Sequence, residues 1–295
     1  MLQGHKMIVS SCAFSPDGQY FASGSFDGTV KIWDILHRTE IKTLSVSFLS
    51  TDVSQVIKMT FLSSLATNIV KFNPTFVMSV NYNTAGTHLV TAHGDSKVRI
   101  WNLISGTIEL TFSGHNHRVN YACFHPNDRL VLSCSNKGEQ NDDCLILWDS
   151  TTGLIIRQFK SGECVTFNCA QFSLDGRTIV AACADKTIKV WDAETGILRN
   201  TLLGHSADVC SIAVDPRHGS GNNSSYLRVL SGALDGVVRV WTAMTPAKPA
   251  TMVRLHVSSS KKNLFEATSV AKRMDMFAVV KISKQLTGTH FDDDK

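Results

Sequence analysis

The chain has 295 residues, of which 43% are hydrophobic and 18% charged, a composition that excludes a disordered chain and is typical of one or two folded domains. The formal net charge is +4, and the excess lies in the last part: residues 1–242 carry 20 basic and 20 acidic side chains, whereas 243–295 carry 9 and 5. Because nucleic-acid binding needs a basic face, the neutral body argues against nucleic acid as a direct partner.

The first residues and the cysteines indicate the compartment. The opening sequence MLQGHKMIVSS lacks the long apolar core of a signal peptide, and no apolar segment is long enough to span a bilayer. The eight cysteines form no C-x-x-C pair, which favours buried reduced thiols over disulfides or a metal site. We therefore expect a cytoplasmic protein, with the nucleus as the alternative, and no membrane partner.

An internal repeat ends at each of the five tryptophans. In the first copy, GSFDGTVKIWD at 24–34, an Asp-Gly turn precedes an alternating strand, and Asp27 lies six residues before Trp33. Segments in which apolar and polar residues alternate, joined by Asp-Gly and Pro-Asp-Gly turns, predict antiparallel strands. A further strand follows each tryptophan, so each repeat predicts four strands.

In chain order, these repeats divide 1–257 into five units, and two segments do not fit the pattern. The units cover approximately 4–44, 72–112, 114–160, 162–203 and 204–257. Residues 45–71 are an insertion, for which an outer loop, a degenerate unit and a mis-spliced segment all stay open. Residues 258–295 are predicted to be an irregular basic C-terminal segment, with a degenerate unit as the alternative.

The repeats resemble the WD40 family. The resemblance rests on four strands per repeat, on Trp-Asp endings, and on Gly-His pairs at 4–5, 114–115 and 204–205. It covers about 4–44 and 72–242. It implies an all-β WD40 β-propeller of four-stranded antiparallel blades, with five clear blades and one or two degenerate or incomplete ones. It also implies a protein-binding function, and we expect neither a cofactor nor a metal.

The resemblance further implies a hydrogen-bonded tetrad in each blade, made of the Gly-His histidine, a Ser or Thr on the second strand, the turn Asp and the Trp. The matching positions are His5, Ser23, Asp27, Trp33, Thr91, Asp95, Trp101, His115, Ser133, Asp142, Trp148, Asp185, Trp191, His205, Ser231, Asp235 and Trp241. In the second repeat Asn73 takes the histidine position. In the fourth, Glu163 and Ala181 stand at the histidine and serine positions, so half of that tetrad is missing.

The same residues have a catalytic alternative, because His5, Ser23 and Asp27 are the components of a hydrolase triad. An enzyme needs one triad, whereas partial copies occur here five times. The sequence also contains no G-x-S-x-G elbow and no recognisable oxyanion hole. We therefore predict structural tetrads, no catalytic residue and no enzyme.

A second group of residues is expected to face a partner, since each lies just before a turn Asp or just after Gly-His. The candidates are Lys6, Phe26, Asn116, His117, Arg118, Asp208 and Leu234. Apolar anchors with a cationic rim are typical of interface hot spots, although isolated apolar surface residues are also common without any role. The lengthened hairpin at 136–144 carries three acidic residues and would favour a basic peptide.

These features predict a non-catalytic scaffold or adaptor that docks protein partners on the propeller face and organises a complex. A ubiquitin-ligase substrate receptor is a narrower alternative. A propeller associated with RNA processing or ribosome assembly is an alternative of another class, for which the basic tail gives slight support. The partner and the pathway stay open.

Overall fold

Alternating apolar residues and tight turns produce strands throughout the computed structural model, which describes residues 2–46, 75–136, 144–159, 166–215, 226–244 and 251–253. Within these ranges the chain contains strands and turns but no helix. All of the predicted insertion 45–71 except Ser45 and Val46, and all of 258–295, lie outside them.

The first of two compact units, residues 1–122, contains two four-stranded antiparallel sheets in which the strand order follows the chain. The first sheet is made of β1 (Val9–Phe14), β2 (Tyr20–Ser25), β3 (Thr29–Asp34) and β4 (Thr39–Ser45). The second sheet is made of β5 (Val77–Tyr82), β6 (His88–His93), β7 (Lys97–Asn102) and β8 (Ile108–Ser113).

The second unit, residues 123–295, holds the remaining strands, apart from the start of β9. The third sheet consists of β9 (Val119–Phe124), β10 (Leu130–Ser135), β11 (Leu145–Asp149) and β12 (Ile155–Gln158). The fourth consists of β13 (Phe167–Phe172), β14 (Thr178–Cys183), β15 (Ile188–Asp192) and β16 (Leu198–Leu202). The fifth consists of β17 (Val209–Val214), β18 (Tyr226–Ala233), β19 (Val238–Met244) and β20 (Thr251–Val253). Five four-stranded antiparallel sheets confirm the predicted all-β blade fold.

In four of the sheets, the turn before the tryptophan strand contains a residue in the left-handed region. Gly28 and Gly236 adopt φ values of 82° and 72° there, as glycine does readily. Ser96 and Lys186 stand at the same position and adopt φ values of 63° and 72°. The turn geometry is therefore retained even where the Asp-Gly sequence is lost.

Each sheet buries its two faces differently. In the first unit, Val77, Val80, Leu89 and Trp101 form a buried cluster with Ala22, Val30, Ile32 and Leu44 of the first sheet. Because side chains alternate along a strand, Ile32 and Val30 point away from Trp33. We call the side of a sheet that carries its tryptophan the tryptophan face and the other side the opposite face. The tryptophan face of the second sheet thus packs on the opposite face of the first.

Candidate functional site

The first sheet assembles a complete network from His5, Ser23, Asp27 and Trp33. The His5 Nδ1 atom lies 3.0 Å from Asp27 Oδ2, and its Nε2 atom lies 2.7 Å from Ser23 Oγ. The Trp33 indole Nε1 donates to the same Ser23 oxygen over 2.8 Å. The segment before β1, which carries His5, and the strands β2 and β3 therefore meet at one serine hydroxyl.

The carboxylate of Asp27 also fixes the turn that holds it. It accepts hydrogen bonds from Lys6 N at 2.9 Å and from Thr29 N at 2.9 Å. Burial alone would raise the pKa of Asp27, but hydrogen bonds from Thr29, Lys6 and His5 outweigh it and lower the pKa to about 2. Asp27 is thus ionised at neutral pH and serves as a multiple acceptor.

The fifth sheet repeats this network with His205, Ser231, Asp235 and Trp241. The His205 Nδ1–Asp235 Oδ2 and His205 Nε2–Ser231 Oγ distances are both 2.8 Å, and Trp241 Nε1 donates to Ser231 Oγ over 2.7 Å. Burial lowers the pKa of His205, against the opposing effect of Asp235. Ser206 N donates to Asp235 Oδ2 as Lys6 N does to Asp27.

In the second sheet a different histidine reaches the hydroxyl. His93 Nε2 lies 2.7 Å from Thr91 Oγ1, which also accepts the Trp101 indole N–H at 2.8 Å, and His93 Nδ1 lies 2.9 Å from Thr75 O. Asp95 instead binds the Arg99 guanidinium, with Oδ2–Nη2 at 2.6 Å.

The histidine position predicted for this repeat, Asn73, lies outside the described residues. Sequence analysis missed His93 because the residue ends strand β6 itself and does not follow a glycine in a linker. Its spacing of two residues from Thr91 was the available signal, since that spacing places both side chains on one face of a strand.

The third and fourth sheets hold parts of the network. Trp148 Nε1 donates to Ser133 Oγ over 2.7 Å. Burial lowers the pKa of His115 to about 4, whereas Asp142 lies outside the described residues.

The fourth sheet has no hydroxyl at the serine position. Ala181 pairs with Lys189 just as Ser23 pairs with Lys31 and Ser231 with Arg239. Trp191 Nε1 is consequently buried without a hydrogen-bond acceptor among the described residues. Asp185 binds Lys189 Nζ at 2.9 Å, while Glu163 lies outside the described ranges.

The burial of the hydroxyls determines what these networks can do chemically. Ser23, Thr91 and Ser231 are 4%, 0% and 1% exposed, and each already accepts an indole N–H. A hydrolytic nucleophile must be reached by its substrate and by water. The arrangement is suited to satisfying buried polar groups and gives a substrate no access to the hydroxyl.

The residue before the turn Asp, predicted to face a partner at Phe26 and Leu234, occupies an equivalent position in four sheets. The backbone N–H groups of Phe26, Gly94, Ala184 and Leu234 donate over 2.9 Å in each case, to the carbonyls of Ile8, Phe76, Thr166 and Asp208 respectively. These hydrogen bonds place each residue beside the segment that enters the first strand of its own sheet.

In the first unit this turn carries an aromatic pair. The rings of Phe26 and Phe76 lie 5.2 Å apart at 55°, and both side chains are half-buried. A β-carbon at Gly94 would lie 2.3 Å from the Phe76 ring, so glycine leaves the space in which that ring lies. Lys6, whose backbone N–H donates to Asp27, the residue after Phe26, is exposed. Sequence analysis missed Phe76, although it lies one residue before strand β5.

The other predicted partner-facing residues differ in their exposure. Asn116 and Arg118 are exposed and His117 is half-buried, and Arg118 Nε donates to Asn120 Oδ1 over 3.1 Å. In the second unit Leu234 is 47% exposed, and Asp208 is half-buried. Of the hairpin 136–144, residues 137–143 lie outside the described ranges.

The described part of the chain contains neither a candidate metal site nor a candidate membrane-spanning helix. No group of three or more His, Cys, Asp or Glu side chains there is arranged to hold a metal ion. Within the same residues, no helix has the length and apolar character needed to cross a bilayer.

Comparison with known proteins places these sheets in a family. A sequence profile of the WD40 family, described as "WD domain, G-beta repeat", matches residues 1–34, 67–102, 106–149, 155–192 and 196–242.

Two curated relatives are similar. Protein tipD of Dictyostelium discoideum is 28% identical over 175 residues, which are 59% of this chain and 26% of that protein. Small ribosomal subunit protein RACK1y of Oryza sativa subsp. japonica is 26% identical over 266 residues, which are 81% of this chain and 76% of that protein. This chain thus spans about a quarter of the first relative and about three quarters of the second. With five matched repeats and five four-stranded sheets, the chain belongs to the WD40 repeat family.

Proposed function

We propose that this protein is a non-catalytic scaffold that docks protein partners on the turns that precede the tryptophan strands. The observation that carries the proposal is the division of roles within the turn of the first sheet. The Asp is bonded inward, as Asp27 is to His5, whereas its neighbour Phe26 forms an accessible aromatic pair with Phe76. A rigid frame with apolar anchors in its turns suits protein recognition.

The chemistry around the aromatic pair suggests the kind of partner. The pair is half-buried, so a partner's apolar side chain would extend an existing contact without having to order a mobile one. The backbone N–H of exposed Lys6 donates to Asp27, the residue after Phe26, and Arg118 is a second exposed cation in the same unit. A peptide with an apolar anchor and acidic neighbours fits this combination.

The test is a quantitative affinity purification of the tagged full chain. We expect a Phe26→Ala/Arg118→Ala variant to lose about tenfold in recovery of its main partner, because truncating two contact side chains removes roughly 1.4 kcal/mol or more of binding free energy. The matched control is Ile104→Ala: Ile104 is 85% exposed and lies in the β7–β8 turn, at the end of β7 away from Asp95. Equal recovery by both variants at wild-type melting temperature would count against the docking site.

A second candidate function follows from the RACK1y relative, whose name assigns it to the small ribosomal subunit. We propose ribosome association as the alternative, with the ribosome as the docked partner. Sedimentation through a sucrose gradient distinguishes the two. Cofractionation with small subunits that is abolished in Phe26→Ala/Arg118→Ala favours this alternative, and complete absence from ribosomal fractions rejects it.

A further inference from the structure

The second sheet has no side chain at the turn position where the first sheet carries Phe26. Gly94 takes that position, and its N–H donates to Phe76 O over 2.9 Å. In the first sheet the N–H of Phe26 donates in the same way to Ile8 O, so Phe76 is the equivalent of Ile8. A β-carbon at Gly94 would lie 2.3 Å from two atoms of the Phe76 ring. The ring therefore occupies the space that a side chain at position 94 would need.

The backbone of this turn does not itself require glycine. Gly94 has a φ outside the left-handed region, so an alanine at this position would not strain the main chain. The fourth sheet has Ala184 at the equivalent position, and its N–H makes the same 2.9 Å hydrogen bond, to Thr166 O. What glycine provides at position 94 is therefore the space for the Phe76 ring.

Contacts between the first two sheets fix the segments that carry the two phenylalanines. The buried Ser10 hydroxyl lies 2.5 Å from Val77 O and 3.1 Å from Gly24 O. A β-carbon at Gly24 would lie 2.6 Å from the Val77 side chain, so these strands approach closely because residue 24 is glycine. Phe76 directly precedes Val77, and Phe26 lies two residues after Gly24. Both phenylalanines therefore extend from fixed backbone, and a partner does not have to order them.

Among the four turns that the structure describes, aromatic residues occur at these positions in the first unit alone. In the second unit the corresponding pairs are Ala184 with Thr166 and Leu234 with Asp208, and none of these residues is aromatic. In the first unit both rings of the aromatic pair are half-buried, so each keeps part of its surface for a partner.

The geometry of the two rings indicates the kind of side chain that binds to them. Their centres lie 5.2 Å apart at an angle of 55°, so the rings are in contact and leave no slot between them. A third aromatic ring can meet the face of one ring and the edge of the other, an arrangement that aromatic groups prefer. Building on the docking function proposed above, we propose that Gly94 is a positioning residue that seats Phe76 against Phe26, and that the pair selects a partner with an aromatic anchor.

The first test needs no partner. In the full chain labelled at phenylalanine, we expect a nuclear Overhauser cross-peak between the Phe26 and Phe76 rings, and Phe76→Ala identifies the signals of that ring. Gly94→Ala should lose the cross-peak, because the added methyl group takes the space of the ring. The control is Ala184→Gly, the opposite exchange at the equivalent turn, which should keep it. A Gly94→Ala variant that keeps the cross-peak overturns the proposal, and so does a wild type that lacks it.

The second test measures partner recovery by affinity purification of the tagged full chain. Gly94→Ala and Phe76→Ala should each lose about tenfold in recovery of the main partner, the loss expected when a contact at a hot spot is removed. The double variant should recover as much as Phe76→Ala, because the added methyl group has no ring to displace. Wild-type recovery by Gly94→Ala, or a further loss in the double variant, overturns the proposal.

Comparison with Phe26→Ala/Arg118→Ala separates this inference from the docking function on which it rests. If Gly94→Ala keeps a partner that Phe26→Ala/Arg118→Ala loses, the positioning role of Gly94 is wrong and the docking function stands. If both variants keep the partner, the docking function is wrong, and the inference falls with it.

The class of anchor is tested with a phage-displayed library of random peptides, selected on the full chain. Peptides that are enriched on the wild type and lost on Gly94→Ala should share an aromatic residue at one position. Replacing that residue by leucine in a synthetic peptide should weaken binding to the wild type several-fold. Enriched peptides that share an aliphatic residue instead, or a library in which no peptide distinguishes the two chains, overturn the aromatic anchor.

Discussion

Replacing Ser231 by alanine is expected to lower the free energy of unfolding by about 2–4 kcal/mol, since each buried polar group that loses its partner costs about 1–3 kcal/mol. The Ser231 hydroxyl accepts the Trp241 indole N–H and contacts His205 Nε2, at 2.7 and 2.8 Å. Both groups are enclosed, so water cannot replace the hydroxyl without disturbing the sheet. The effect is measured by chemical denaturation, in which the dependence of the unfolding free energy on denaturant concentration should be the same for variant and wild type.

The control is Ser206→Ala in the same network. The backbone N–H of Ser206 bonds Asp235, and alanine keeps that bond, while the exposed hydroxyl makes only a 3.5 Å contact. We expect its stability to stay within about 0.5 kcal/mol of wild type. If Ser231→Ala and Ser206→Ala were equally mild, the network would be dispensable for the fold.

Acidification is expected to destabilise the protein from about pH 6.5 down to pH 4, through its buried histidines. Burial lowers the pKa of His93 to about 4, with the charge of Arg99 acting in the same direction, and burial lowers the pKa of His115 to about 4. The unfolded chain binds these protons near pH 6.5, so the stabilisation is complete above that pH and is lost as the pH falls to 4. Each of these two histidines accounts for a loss of about 3 kcal/mol of unfolding free energy over this pH range.

The variant His93→Gln isolates one of these contributions. Between pH 7 and pH 4 its unfolding free energy should fall by about 3 kcal/mol less than that of the wild type, because His93 no longer titrates whereas His115 and His205 still do. His37→Gln is the control, since the His37 side chain is 70% exposed, and it should keep the full acid dependence. Stabilisation by Asp27 is lost only below pH 3.8, outside this window. Parallel pH curves for wild type and His93→Gln would contradict the account.

The sequence pattern was sufficient for the blades because it is local. A turn with a left-handed residue, followed by a strand of alternating apolar and polar residues, defines a hairpin wherever it occurs in the chain. Gly28 and Ser96 have positive φ values at equivalent positions of two such turns, although the residues differ. The absence of a hydroxyl at Ala181 could also be read from the repeat, and the structure leaves Trp191 Nε1 without an acceptor among the described residues.

Other features of the site could not be predicted from the repeat, because they depend on contacts between side chains. The repeat predicts the tetrad histidine in the linker before the first strand of each sheet. In the second sheet, however, His93 on β6, two residues beyond Thr91, contacts the Thr91 hydroxyl oxygen. Asp95 pairs with Arg99 in that sheet, because a basic residue four positions on lies next to the turn. Phe76 follows a segment without a clear pattern, and only the fold brings it to Phe26.

The central claim is that the blade tryptophans donate their indole N–H groups to buried serine and threonine hydroxyls, which the repeated histidine and aspartate side chains position where they are present. The most direct measurement is a ¹⁵N–¹H spectrum of the five indole groups with tryptophan-specific labelling. The account predicts downfield, hydrogen-bonded indole signals for Trp33, Trp101, Trp148 and Trp241, and an upfield signal for Trp191 that Ala181→Ser moves towards the other four. A Trp191 signal that already lies with the other four, or that Ala181→Ser leaves in place, would contradict it.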